Sequence, residues 1–237
     1  MGARILRYED EAGLDLALVL DTTGSMGTYL AEISRQLLEV VSEIHQHVVG
    51  VRCGVIAFKD HGEQEDYLTH SLPLSRNLHR LVSFMHDSEL KPGVGGGGAE
   101  AVECALHEAN ALPWRKHARK AILLIGDKPP HGGGLDSFSA CTHGIDYRDE
   151  IEELAGRGVA IYTLQVGDCL QTRRMFEYFS ARTGGTFLDG LHIRDLPSSI
   201  ASVCHKEAGD LADYRQRLAR AGRLTETRRV MIHSLAS

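Results

Sequence analysis

A chain of 237 residues, with 26 Lys and Arg against 32 Asp and Glu and a net charge of −6, is long enough for one large or two small domains. Its acidic balance argues against a nucleic-acid footprint, which needs a basic stripe. Five cysteines, odd in number, scattered and without a C-x-x-C, argue for free thiols in a reducing compartment rather than a disulfide framework. No apolar run approaches the ~20 residues of a membrane span, and the first eleven residues lack the apolar centre of a signal peptide; a cytoplasmic protein without membrane contact is expected.

Taken in order, the chain first offers Leu14 to Leu20, a short apolar run that ends in Asp21, Thr23, Gly24 and Ser25. Such a run reads as a buried strand of a parallel sheet. A helix follows over 28–48, with Leu30, Ile33, Leu37, Val41, Ile44 and Val48 three or four apart. Val51 to Phe58 is a second strand, closed by the polar turn Lys59-Asp60-His61-Gly62. Tyr67 to Leu74 reads as a third strand, placed on the sheet edge by Pro73. Leu78, Leu81, Val82 and Met85 make a short helix before a Gly-rich loop, Lys91 to Gly98.

Ala99 to Leu112 is expected to be helical up to Pro113. Ala121 to Ile125 is a further buried strand running into Gly126-Asp127-Lys128-Pro129-Pro130-His131, and 132–145 is a loop of the length that is often functional. Arg148 to Ala155 is a helix, Val159 to Val166 a strand, Leu170 to Arg182 a helix closed by Gly184-Gly185, and Thr186 to Leu188 a last short strand. From about Asp195 the chain reads as helix to the end, with an Arg-rich stretch over 206–237 whose apolar seam is Leu211, Tyr214, Leu218 and Leu224. Alternating strands and helices imply an α/β fold with a mostly parallel sheet.

Ligands of open α/β sheets sit at the carboxyl ends of the strands. Asp21, Thr23 and Ser25 converge at one such end, and Asp127 at another. All are hard oxygen donors, suited to Mg²⁺, Mn²⁺ or Ca²⁺ rather than zinc. The run Asp21-Thr22-Thr23-Gly24-Ser25-Met26 resembles the D-x-S/T-G-S-M signature of von Willebrand factor A domains. Asp127 is similar to that family's third metal loop, and Phe58-Lys59-Asp60-His61 to a Y-R-D-H turn of its intracellular members. The resemblance spans Leu14 to Cys204. It implies a Rossmann-like doubly wound sheet with one antiparallel edge strand, over 8–205, and a helical C-terminal extension over 206–237. It also implies a metal-ion-dependent adhesion site formed by Asp21, Thr23, Ser25 and Asp127, whose Mg²⁺ is capped by an acidic side chain of a partner protein.

One departure stands out. Where the second metal loop of the family supplies Thr or Asp, Gly97 offers no side-chain oxygen. A weak metal, a substitute such as Asp60 or Glu100, or a vestigial site would each follow. The backbone N–H groups of the helix after Gly27 are expected to hold Asp21.

Other chemistries fit less well. Gly93 to Gly98 matches G-x-G-x-x-G, but no strand precedes it, which excludes a dinucleotide fingerprint. An aspartyl-phosphate enzyme of the haloacid dehalogenase type would carry a second Asp at position 23. Among 13 histidines, Cys141-Thr-His143 and Cys204-His205 lack paired zinc-ligand spacing; His61 and His131 follow strands ending near the same face and are expected to stabilise turns. Cys53 and Cys104 read as core, and the Arg-rich tail as a solvated face or a docking helix. The expected function is a non-enzymatic, metal-assisted protein-interaction module, a scaffold in a larger assembly. A metal-free structural interaction domain and a metal-dependent hydrolase are the alternatives.

Overall fold

The computed structural model describes residues 13–62, 65–86, 92–93, 98–132, 140–188 and 195–236, apart from the side chains of 37–43, 45–47 and 78. Among the described residues the five strands are β1 (Leu14–Asp21), β2 (Arg52–Phe58), β3 (Thr69–Ser75), β4 (Arg119–Gly126) and β5 (Val159–Gln165), in the order β3-β2-β1-β4-β5. Four run parallel and β3 is the antiparallel edge, beside β2. The helices are α1 (Gly27–His47), α2 (Leu78–Met85), α3 (Val102–Ala111), α4 (Tyr147–Gly156), α5 (Leu170–Thr183), α6 (Leu196–Ala208), α7 (Leu211–Arg220) and α8 (Glu226–Ala236). No helix among the described residues is long and apolar enough to cross a membrane.

The period of two along each strand sorts the core into two layers. Leu14, Leu16, Leu18 and Leu20 of β1 join Val55, Leu123 and Leu164 on one face, covered by α1, α2, α6 and α8. Ala17 and Val19 join Ile56, Leu124 and Ile161 on the other, covered by α3, α4 and α5. The chain therefore leaves β1 toward one face and reaches β4 from the other. That reversal puts a crevice at the carboxyl ends of β1 and β4, where Asp21 and Asp127 lie.

Three elements differ from the sequence reading. The helix expected from Ala99 begins at Val102, because the preceding residues bridge two strand ends: Glu100 N–H donates to Pro129 O (3.0 Å) and Ala101 N–H to Lys59 O (3.1 Å). The short strand at Thr186 to Leu188 is a single bridge between Thr163 and Phe187. The long C-terminal helix is three helices, broken at Gly209 and Gly222, whose φ values of 81° and 65° glycine adopts without steric cost. Tyr214 and Leu218 are buried with Ala201 and Ile232, and Met231 and Leu235 of α8 reach the main core.

Candidate functional site

β1 delivers Asp21 to the crevice fully buried, at 1% exposure. Its Oδ1 accepts from Thr23 N–H at 2.9 Å and from Thr23 Oγ1–H at 2.6 Å. The carboxylate is thus held by Thr23, and the expectation that N–H groups after Gly27 hold it is not met. Thr23 Oγ1 also lies 3.2 Å from Ser25 Oγ. Thr23 is buried and Ser25 exposed, so the pair of hydroxyls runs from the floor of the site to its mouth.

The second wall comes from β4. Leu20 pairs with Ile125, and a Cβ added to Gly126 would stand 3.3 Å from both Cβ and Oδ2 of Asp21. Asp127 follows Gly126, and its carboxylate lies within electrostatic and hydrogen-bonding reach of Asp21. Thr172 Oγ1–H on α5 donates to the Asp127 carbonyl at 2.9 Å and ties that loop down. The four residues singled out in the sequence therefore meet at one crevice.

Glu100 joins them. The expectation at Gly97 falls outside the described residues, but Glu100 is 1% exposed and held between the ends of β2 and β4. Three carboxylate oxygens here are buried with no hydrogen-bond partner: Asp21 Oδ2, Asp127 Oδ1 and Glu100 Oε2. Asp60, the other substitute weighed from sequence, is otherwise engaged: its Oδ1 accepts from His61 N–H at 2.7 Å and sits 2.7 Å from His131 Nε2.

Electrostatics mark the same place. Burial pushes the Asp21 carboxyl up, the bonds from Thr23 pull the other way, and the Asp127 charge adds to the rise, to about 7. Burial, then the charges of Asp21, Asp60 and Asp127, push Glu100 up to about 9. Like charges crowded without a cation raise one another, and a buried anion normally takes a partner. The donor set is all oxygen, so it fits a hard divalent ion.

Fold and site together define a class: a doubly wound α/β domain whose switch point gathers carboxylates and hydroxyls. The von Willebrand factor type A domain profile matches residues 15–177, and the chain belongs to that family. Domains of this family are protein-interaction modules and often bind a divalent metal. Among curated proteins, the chain is 25% identical over 189 residues to an ariadne-like RING finger protein of Acanthamoeba polyphaga mimivirus, covering 76% of this chain and 18% of that protein. It is 23% identical over 177 residues to the alpha-protein kinase vwkA of Dictyostelium discoideum, covering 72% of this chain and 28% of that one. The chain spans less than a third of the length of either relative.

Proposed function

We propose that this chain is a divalent-cation-assisted protein-interaction module, with Asp21, Thr23, Ser25 and Asp127 holding Mg²⁺ or Mn²⁺ and Glu100 standing in for the oxygen that Gly97 lacks. The observation that carries this reading is the set of three buried carboxylate oxygens without donors, facing two hydroxyls at one strand-end crevice. A hard cation supplies the charge they lack. Mg²⁺ keeps waters in its shell, and the exposed Ser25 side is where an acidic side chain of a partner replaces one.

We read the chain as a binder rather than an enzyme. The site hydroxyls lie within hydrogen-bond reach of each other and of Asp21, an arrangement suited to ligating an ion. The relatives, one bearing a RING finger and one a kinase, suggest an adaptor within a signalling or modification assembly inside the cell.

The test is a calorimetric titration of Mg²⁺ and Mn²⁺ into the wild type and Asp21→Ala, followed by affinity capture with Mg²⁺ or EDTA. Heat in the wild type alone, and partners lost in EDTA, are expected. Capture indifferent to EDTA would instead support a metal-free interaction domain.

A further inference from the structure

A second cluster of metal-ligand atoms lies beside the oxygen site and has a different chemistry. His61 follows β2, Glu103 and Cys104 occupy the first turn of α3, and Cys141 precedes α4. Their ligand atoms all lie within 4.8 Å of one another. His61 Nε2 is 3.0 Å from Glu103 Oε1, 3.7 Å from Cys104 Sγ and 3.4 Å from Cys141 Sγ. The two sulfurs are 3.6 Å apart, and Cys104 Sγ is 3.8 Å from Glu103 Oε1.

Five of the six separations are close to those of a known polyhedron. A tetrahedral Zn²⁺ with thiolates at about 2.3 Å and imidazole and carboxylate at about 2.0–2.2 Å spaces its ligand atoms about 3.3–3.8 Å apart. On binding the ion the His61–Glu103 contact would open by about 0.3 Å as its hydrogen bond gives way, and the widest separation of the cluster, up to 4.8 Å, would close by about 1 Å. Two sulfurs, one imidazole and one carboxylate select a borderline cation such as zinc over Mg²⁺ or Ca²⁺.

The surroundings hold the ligands in place. Thr142 Oγ1 lies 3.0 Å from His61 Nδ1; with the proton on Nδ1 donated there, the Nε2 lone pair faces the cluster. His131 N–H donates to Glu103 Oε2 at 3.1 Å, leaving Oε1 for the ion. Glu103 is wholly buried and both cysteines nearly so.

We infer that His61, Glu103, Cys104 and Cys141 form a structural zinc site. Four protein ligands close the coordination shell and leave no position for substrate. The ion fastens three segments distant in sequence. Glu100 lies three residues before Glu103, and the His131 bond reaches the loop that carries Asp127, so the same clasp steadies the two loops that feed the oxygen site.

The test uses the full chain purified under reducing conditions. Elemental analysis should find about one zinc per chain, and Co²⁺ added to the stripped protein should give the intense visible bands of a tetrahedral ion together with sulfur-to-cobalt absorption in the near ultraviolet. Cys141→Ser should weaken zinc at least tenfold and remove part of the sulfur band, while Asp21→Ala should leave both unchanged. The wild-type cobalt spectrum stands whether or not a cysteine variant folds. A zinc-free chain that gives only a weak octahedral cobalt spectrum, or a chain two hydrogens lighter through a Cys104–Cys141 disulfide, would overturn the assignment. Neither result bears on Mg²⁺ at Asp21, whose ligands contain no sulfur.

Discussion

Asp15 and Asp21 stand on one strand and one face, six residues and about 20 Å apart. Both are buried, at 0% and 1% exposure. Asp15, at the foot of the sheet, is clasped by two guanidinium groups: Arg52 Nε and Nη2 reach Oδ1 and Oδ2 at 2.8 and 2.7 Å, and Arg115 donates from its Nε at 2.9 Å and its backbone N–H at 2.8 Å. Asp21, at the top, has two bonds from Thr23, a second carboxylate as neighbour and one oxygen with no donor. The lower end carries its own countercharge and is finished as folded. The upper end gathers anions and hydroxyls with no guanidinium or ammonium bonded to Asp21, the contrast on which the proposed cation site rests.

That difference can be broken from either end. The largest effect is expected from Asp15→Asn, which strips the carboxylate from two largely buried guanidinium groups. It should cost about 3–5 kcal/mol in urea denaturation; a loss under about 1 kcal/mol would place the clasp among weak surface pairs. The same residue sets an acid signature. Burial pushes the Asp15 carboxyl up, but the Arg52 and Arg115 bonds outweigh it and hold it below its ordinary 3.8. Its stabilising contribution is therefore complete above pH 3.8 and lost as pH falls through the lower, folded value. Denaturation midpoints from pH 6 to 2 should fall more steeply in the wild type than in Asp15→Asn.

At the upper end the sign reverses. Asp21→Asn relieves repulsion with Asp127 and keeps an oxygen for Thr23, so the metal-free variant should be at least as stable as the wild type. The gain from Mg²⁺, about 2.7 kcal/mol at a hundredfold excess over Kd, should vanish. Thermal denaturation with and without Mg²⁺ reads both effects, and a metal-free variant several kcal/mol weaker than wild type would make Asp21 a structural residue like Asp15. Gly126→Ala should be milder. Its Cβ would press on Asp21 at 3.3 Å, costing about 1 kcal/mol in stability and lowering Mg²⁺ affinity by a few-fold in the same titration.

How much of each end was legible in the sequence follows from how each is built. Asp21, Thr23 and Ser25 are two residues apart on one strand exit, so their convergence is local and shows in the chain. Asp127 needed one further inference, that parallel strands end on the same side. Asp15 and Arg52 left a fainter signal: a charge near the start of each of two apolar strands, opposite one another in the parallel register. In the C-terminal helices the seam read from the sequence holds at Tyr214 and Leu218, which are buried, while Met231, Ile232 and Leu235, also buried, lie in an Arg-rich stretch whose few apolar positions give little periodic signal.

Hydrophobic periodicity and side-chain donor type are properties of neighbours along the chain, so the strands, their ends and the oxygen donors at Asp21 and Asp127 could be read there. Folding alone brings Glu100, with an oxygen to spare, within electrostatic reach of those aspartates, and gathers His61, Glu103, Cys104 and Cys141 at one spot. Gaps of 42 and 37 residues between those ligands carry no spacing rule; the doubly wound crossover, which returns β2, α3 and the segment before α4 to one edge of the crevice, sets their distance.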